Sequence, residues 1–266
     1  MDTVIKNGTI VTESEIMHAD LGIQAGKVVA IAEKIENGVH TIDASGKYVM
    51  PAGVEVHTHI EAPLFNMRTV DDWYDASIGA AFGGTATVVD YIMQGANQTL
   101  RDTIAEYTGR AKGKSIVDYS FSPIISRWTE ETFAEIPGLI EDGTTSMFKA
   151  FLYYDWRVND YDLARLLNLV KNSGGVVGIH CENAGTILYL IDKALREGKI
   201  EPRWHGPTRP VSSEVEAVTR VIYIAEELGA PVYIVHISAG PVINELVQAK
   251  SRGVKVYGEG MPHYLC

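Results

Sequence analysis

Five side chains that could bind metals or act as nucleophiles lie in or directly after short apolar runs: His57, His59, Lys149, His180 and His236. His57 and His59 stand two residues apart in VEVHTHI, a run rich in β-branched residues that predicts a strand. Residues two apart share one face of a strand, so both imidazoles are expected to project the same way. Imidazole binds metals but is also a common structural group, so this pair alone leaves both interpretations open.

Lys149 lies inside the apolar run SMFKAFL and is therefore expected to be buried. An unpaired buried ammonium is costly, so one interpretation is an ion pair with Glu182 or Asp90. The other is chemical modification, because burial lowers the pKa of a lysine and a neutral amine reacts with carbon dioxide. The resulting carbamate, N6-carboxylysine, has two oxygens that could bridge two metal ions. Four histidines and this bridge would suit two Zn²⁺ ions that share a hydroxide.

The elements that must position these residues are seven apolar runs, which alternate with helical stretches from residue 53 onward. They are VEVHTHI, TATVVDYI, IVDYSFSPII, SMFKAFL, VVGIHCEN, PVYIVHIS and KVYGEG. This alternation predicts an α/β fold with a parallel sheet covered on both faces. We expect a (β/α)₈ TIM-type barrel with seven of its strands in this chain, which would lack strand eight and be part of a longer protein. An open doubly wound sheet is the alternative, but no GxGxxG turn follows the first strand.

In a barrel, the active site lies at the carboxyl ends of the strands. Strands one, five and six would deliver the histidines there, and strand four would deliver Lys149. The helical segment 160–173 is expected to begin with Asp160 as its N-cap. The helical segment 213–228 is expected to begin with a capping box at Ser213 and Glu216 and to end before Gly229.

Residues 1–52 differ from the remainder, residues 53–266, and predict the N-terminal part of a β-sandwich domain. Two dipeptides in this segment, Asn7-Gly8 and Ala25-Gly26, predict tight hairpins.

Composition excludes several classes of function. The net charge is −11 and no Lys/Arg-rich tract is present, which disfavours nucleic acid and anionic membranes as partners. The two cysteines form no CxxC pair, so disulfides and a structural zinc site are disfavoured. No signal peptide and no membrane-spanning apolar run is evident, so a cytoplasmic protein is expected.

The sequence resembles the amidohydrolase superfamily, and within it the cyclic amidases, namely dihydropyrimidinases and bacterial D-hydantoinases. The segments that carry the resemblance are GKYVMPAGVEVHTHI, GGTATVVDYI, SMFKAFLYYDW, GIHCENA, EGKIEPRWHGPTRP, YIVHIS and AKSRGVKVYGEGMPHYL. The resemblance implies hydrolytic opening of 5-substituted hydantoins or dihydropyrimidines to N-carbamoyl amino acids. It also implies a homo-oligomer, either a tetramer or a dimer.

The same resemblance implies roles for individual residues. His57 and His59 would bind the more buried zinc, His180 and His236 the more exposed one, and carboxylated Lys149 would bridge them. Tyr154 would hydrogen-bond the substrate carbonyl. A family aspartate at the end of strand eight, which would shuttle the proton, is not expected in this chain.

Loop residues after strands one and four, Leu64, Phe65 and Trp156, would face the ring substituent of the substrate; loop packing is the alternative. Glu182 and Asn183 are expected either to support the metal-binding histidines or to cap a loop. Two further functions stay open: a non-catalytic scaffold related to dihydropyrimidinase, and a related cyclic amidase such as allantoinase or dihydroorotase. The latter would need an arginine near the mouth of the site, for which Arg68 and Arg157 are the candidates.

Overall fold

The computed structural model describes residues 1–36, 38–64 and 66–266, with the side chain of residue 64 also outside the described part. The chain divides into two compact units. One comprises Met1–Val54 with Gly84–Ala86, and the other comprises Glu55–Gly83 with Thr87–Cys266.

The first unit contains a five-stranded sheet. Its strands are β1 (Thr3–Val11), β2 (Ile16–Gln24), β3 (Lys27–Ala32), β4 (His40–Asp43) and β5 (Tyr48–Val49). The order is β3-β2-β1-β4, and β5 also pairs with β1. Strands β1, β2 and β3 pair antiparallel, whereas β4 and β5 run parallel to β1.

One of the two predicted hairpins is confirmed and the other is wrong. Ala25 and Gly26 both have positive φ, 50° and 73°, and connect the antiparallel strands β2 and β3. Asn7 and Gly8 instead lie inside β1, where the register with β2 shifts between Ile5 and Gly8. Asn7 has a φ of 61°, and a Cβ on Gly8 would lie 2.6 Å from Cγ2 of Val49. The dipeptide therefore makes a β-bulge that lets β5 approach closely.

A seven-stranded sheet carries the predicted run of strands. Its members are β6 (Gly53–Thr58), β9 (Thr85–Met93), β10 (Asp118–Ile124), β11 (Met147–Phe151), β12 (Val176–His180), β13 (Val232–Ile234) and β14 (Val256–Gly258). The order is β14-β13-β12-β11-β10-β9-β6, and the pairs from β9 through β14 run parallel. A short antiparallel pair, β7 (Pro63–Leu64) and β8 (Met67–Arg68), lies between β6 and β9 in the chain. The predicted α/β class with seven parallel strands of a barrel-type fold is confirmed.

Helices alternate with these strands. They are α1 (Trp73–Phe82), α2 (Leu100–Ala111), α3 (Glu130–Glu141), α4 (Asp160–Asn172), α5 (Ala184–Arg196), α6 (Val211–Leu228) and α7 (Val242–Ser251), and two short 3₁₀ turns lie at Pro202–Trp204 and Pro262–Tyr264. Within the described residues, no helix combines the length and apolar character needed to cross a membrane.

Two predicted helix starts are wrong and one predicted end is confirmed. Helix α4 is capped by Asn159, whose side chain accepts a hydrogen bond from the backbone of Asp162, so Asp160 is already helical. Helix α6 begins at Val211 after Pro210, and the Ser213 hydroxyl donates to the Pro210 carbonyl instead of capping. Its end at Gly229, which adopts the left-handed conformation, matches the prediction.

The alternation of side chains along β11 separates the core from the candidate site. Phe148 and Ala150 belong to the large apolar core that also includes buried residues of the helices. Phe151 packs in a smaller cluster on the other face of the sheet with Tyr91, Ile124 and Val235. Lys149 has the same parity as Phe151 and therefore lies on the inner face of the sheet.

Candidate active site

The strand ends bring the predicted residues to the same edge of the sheet. His57 lies in β6, Lys149 in β11, and His180 is the last residue of β12. His59 and His236 follow the ends of β6 and β13. The ring centroid of His57 lies 5.4 Å from the centroid of His59 and 5.4 Å from that of His236. The ring centroids of His180 and His236 lie 4.8 Å apart. The four imidazoles therefore form one cluster.

Lys149 is buried at this cluster, with 1% of its surface exposed. Its Nζ lies 2.9 Å from Nε2 of His57 and 4.2 Å from the ring centroid of Tyr91. Burial lowers the pKa of Lys149 to about 7, an effect that the negative charge of Glu259 partly opposes. Within the described part of the chain, Lys149 forms no salt bridge. About half of the amine is therefore neutral near pH 7, and most of it is neutral above that pH.

The two carboxylates considered as ion-pair partners for Lys149 are engaged elsewhere. Oε2 of Glu182 contacts Nε2 of His180 at 2.7 Å and accepts from Arg209 at 2.6 Å. Oδ1 of Asp90 accepts from the Thr58 hydroxyl at 2.7 Å. The ion-pair interpretation for Lys149 is therefore wrong for both carboxylates.

Asp90 is itself buried on β9, with none of its surface exposed. Besides the Thr58 hydroxyl, its Oδ1 accepts from the backbone of Ile60 at 2.9 Å, and its Oδ2 has no hydrogen-bond partner among the residues that the structure describes. Burial raises the pKa of Asp90 to about 6, although its two hydrogen bonds favour the carboxylate. Because Thr58 and Ile60 flank His59, Asp90 fixes the backbone that presents this histidine.

His180 and His236 form a second histidine pair with ring nitrogens close together. Nδ1 of His180 lies 3.1 Å from Nε2 of His236. Burial and, to a smaller extent, the neighbouring His180, Lys149 and His57 lower the pKa of His236 to about 3, so the His236 imidazole is neutral. His236 also has a φ of 38°, an uncommon conformation for a residue other than glycine. Such conformations cluster at functional sites.

Among the residues that the structure describes, no three His, Cys, Asp or Glu side chains are arranged as a metal-binding group. Yet two nitrogens bound to one tetrahedral zinc would lie roughly 3.3 Å apart for the usual Zn–N distance, close to the 3.1 Å between His180 and His236. The spacing of His180 and His236 therefore fits two nitrogen ligands of one zinc ion.

A cavity of about 330 Å³ opens onto the cluster. Its polar lining is His59, Lys149, His180 and His236 with Tyr91, Tyr154 and Thr69, and its apolar lining is Ala62, Pro63, Met93, Ile124, Phe151 and Trp156. This volume is at the small end of the range for ligand pockets. The cavity therefore combines the polar cluster with apolar lining residues.

Tyr154 and Trp156 lie together at the wall of this cavity. Their rings stack with centroids 4.9 Å apart, and the Tyr154 ring is 6.0 Å from that of His180. Tyr154 has a φ of 72°. Burial raises the pKa of its phenol, which therefore stays protonated at neutral pH. The predicted contribution of Phe65 and of the Leu64 side chain lies outside the described residues.

Neither arginine proposed for a charged substrate is part of the described cavity lining. The Arg68 side chain is 62% exposed and lies 3.9 Å from Glu61, and the exposed Arg157 donates to the Tyr154 carbonyl at 2.9 Å. A third arginine, Arg209, lines an adjacent cavity of about 390 Å³ but is paired with Glu182. These contacts give no support to a substrate carboxylate in the first cavity.

Of the two candidate supporting residues, Glu182 contacts His180, whereas Asn183 caps α5 by accepting from Thr186. Cys181 is buried, and burial raises its thiol pKa, which disfavours a reactive thiolate. Sequence reasoning missed Glu259, which follows β14 and contacts His57. The signal was present in KVYGEG, where the carboxylate follows the last strand in the same way as the histidines follow theirs.

Comparisons with known proteins agree with this geometry. No protein-family profile matches the chain. The D-hydantoinase of Ralstonia pickettii is 40% identical over the whole chain, and that of Rhizobium radiobacter is 41% identical. The chain is homologous to the D-hydantoinases. Among solved structures, a D-hydantoinase at 40% identity superposes with a TM-score of 0.94, and the dihydropyrimidinase of Brevibacillus agri at 34% identity with 0.95.

These similarities confirm the resemblance to cyclic amidases that the sequence motifs predict. The chain spans 58% of the length of each of these four relatives, while the relatives cover all of this chain.

Proposed function

We propose that this chain carries the zinc-binding and amide-hydrolysing site of a cyclic amidase that opens 5-substituted hydantoins or dihydropyrimidines to N-carbamoyl amino acids. The observation that carries the proposal is Lys149, a buried amine that forms no salt bridge with a carboxylate of the described residues and lies at a cluster of four imidazoles. A non-catalytic scaffold has no need of such a costly group.

The lysine is suited to carboxylation because its pKa of about 7 leaves a large neutral fraction. The Nζ lone pair attacks the carbon of carbon dioxide, an N–C bond forms, and one C=O electron pair moves to oxygen. One proton leaves Nζ for solvent, so the product is a carbamate anion. This change converts a buried potential cation into an anion with two oxygens.

His57 and His59 with one carbamate oxygen of Lys149 would hold one Zn²⁺, and His180 and His236 with the other oxygen would hold the second. Zinc bound there would polarise the amide carbonyl and supply a nucleophile by lowering the pKa of a water molecule. Glu182 contacts one nitrogen of His180 and thereby leaves the other facing His236.

Tyr154 would donate its phenolic proton to the substrate carbonyl oxygen as negative charge develops there. Its raised pKa keeps that proton in place, and its stacking on Trp156 restricts the ring. The apolar wall that includes Met93, Phe151 and Trp156 would accept the substituent of the substrate ring. We further propose a homo-oligomer, a tetramer or a dimer, on the resemblance alone.

The test compares the complete protein that carries this chain with its variants Lys149→Ala and Lys112→Ala, the latter a matched change at an exposed lysine. We expect two zinc ions per wild-type chain, a mass increase of one carbon dioxide in native mass spectrometry, and hydrolysis of a 5-substituted hydantoin. Lys149→Ala should lose most of its zinc and activity, with partial rescue by acetate or propionate, whereas Lys112→Ala should behave as wild type.

Two results would count against different parts of the proposal. Wild-type zinc content in Lys149→Ala would exclude the bridging carbamate. A zinc-loaded wild-type chain that hydrolyses neither hydantoins nor dihydropyrimidines would instead favour the scaffold function.

A further inference from the structure

Glu259 connects the two edge strands of the seven-stranded sheet. It follows β14 at one edge, and its Oε1 contacts Nδ1 of His57 on β6 at the other edge, 202 residues away in sequence. Both side chains are shielded from solvent, with 6% of the His57 side chain and 11% of the Glu259 side chain exposed. The contact therefore joins strands that are not neighbours in the sheet.

The Glu259 carboxylate is held at both oxygens. Oε1 also accepts from the backbone of His236 at 3.0 Å, and Oε2 accepts from the Tyr233 hydroxyl at 2.9 Å. The backbone of Glu259 is fixed as well, because its N–H donates to Ile234 at 3.1 Å and its carbonyl accepts from Ile237 at 2.8 Å. The carboxylate thus has little freedom to turn away from His57.

These contacts define the protonation of His57. A carboxylate oxygen accepts, so Nδ1 of His57 must carry a proton. Its Nε2 then faces Nζ of Lys149 at 2.9 Å. Without the carboxylate, either ring nitrogen could carry the proton. In the Nε2–H form, Nε2 would present an N–H where a metal ligand must present a lone pair.

We propose that Glu259 is a positioning residue that fixes the Nδ1–H form of His57 and, through the same oxygen, the backbone of His236. One carboxylate would thereby position one histidine ligand of each predicted zinc site. The consequence for zinc rests on the proposed function, whereas the protonation of His57 does not.

The test uses Glu259→Leu, which removes the acceptor, and Glu55→Gln as the matched control. Glu55 accepts from the backbone N–H of the same histidine at 2.9 Å but its contact does not involve the ring. Long-range ¹H–¹⁵N spectra of zinc-free, histidine-labelled protein report which ring nitrogen of His57 is protonated. We expect the Nδ1–H form alone in wild type and Glu55→Gln, and a mixture with the Nε2–H form in Glu259→Leu.

A second readout is zinc affinity from competition with a chelator. Loss of a group that orients a ligand typically lowers metal affinity by roughly 10- to 100-fold, and we expect a loss of this size in Glu259→Leu. If that variant does not fold, Glu259→Gln keeps the side-chain shape, and we expect its zinc affinity to fall about 10-fold. Glu55→Gln should stay within about twofold of wild type.

The inference is overturned if His57 keeps the Nδ1–H form alone without Glu259, or if Glu55→Gln weakens zinc binding equally. Absence of zinc binding in the wild type would remove the proposed function. The ¹⁵N spectra would still decide the role of Glu259 in that case.

Discussion

The buried amine of Lys149 gives a quantitative prediction for the metal-free protein in carbon-dioxide-free buffer. Its pKa falls from the ordinary 10.5 to about 7 in the folded chain because burial disfavours the cation. Between these values the unfolded chain binds one more proton than the folded chain. The unfolding free energy must therefore rise with pH across this window, by up to about 1.4 kcal/mol per pH unit.

The size of the effect follows from the two pKa values. At pH 7 the depressed pKa costs roughly 4 kcal/mol of stability, and at pH 9 roughly 2 kcal/mol. The variant Lys149→Met has a similar length and no titrating group, so it removes this cost. It also loses the hydrogen bond to His57, worth about 1 kcal/mol. We expect Lys149→Met to be more stable than wild type by about 3 kcal/mol at pH 7.

Urea unfolding at pH 7 and pH 9 measures both quantities, with Lys112→Met as the control for an exposed lysine. The difference between wild type and Lys149→Met should shrink by about 2 kcal/mol between the two pH values. The Lys112→Met difference should not change. A wild-type minus Lys149→Met difference that is independent of pH would show that the amine keeps an ordinary pKa, and the argument for carboxylation would lose its physical basis.

Two other predictions concern Asp90 and Tyr154. Because burial raises the pKa of Asp90 to about 6, the folded chain holds a proton that the unfolded chain has lost between pH 4 and 6. Stability should therefore fall by about 3 kcal/mol as pH rises through this window, and urea unfolding of Asp90→Asn at pH 4 and 7 should lack that loss; an unchanged pH dependence would contradict it. Tyr154→Phe should lower hydantoin turnover by roughly 100-fold, as expected for loss of one oxyanion donor, while zinc content measured by mass spectrometry stays unchanged; wild-type turnover would exclude the phenol from the reaction.

The strands and the cluster of histidines could be predicted because both depend on short-range rules. An apolar run with a polar residue at its end indicates a strand, and parallel strands bring their carboxyl ends to one edge. These two rules place His59, His180 and His236 at that edge, whereas the burial of Lys149 follows from the apolar run on both sides of it.

Predictions from short sequence patterns were wrong where the same residues favour two different local conformations. Asn-Gly favours positive φ in a hairpin turn and in a β-bulge alike, and only the approach of β5 to Gly8 decides between them. Asn159 and Asp160 are both good capping residues, so their sequence could not fix the start of α4 to one position.

The position of Glu259 after β14 can be read from KVYGEG, but its contact with His57 cannot. Its contact with His57 exists only because the sheet curls until its two edge strands meet, and no local pattern reports how far a sheet curls. Curling also places the Glu259 carboxylate near Lys149. The negative charge of Glu259 raises the pKa of Lys149, but burial lowers it by more. The fold therefore retains an amine that is costly without its modification.

That cost couples ligand binding to folding. Carboxylation of Lys149, as proposed, would remove the disfavoured cation, and zinc would compensate the anion that replaces it. Any ligand that binds only the folded chain stabilises it in proportion to the logarithm of its concentration. Zinc and bicarbonate together should therefore raise the unfolding temperature more than the sum of their separate effects, and this excess should vanish in Lys149→Met. Additive effects in the wild type would mean that the metal and the modification act independently, which the shared position of Lys149 between both histidine pairs does not allow.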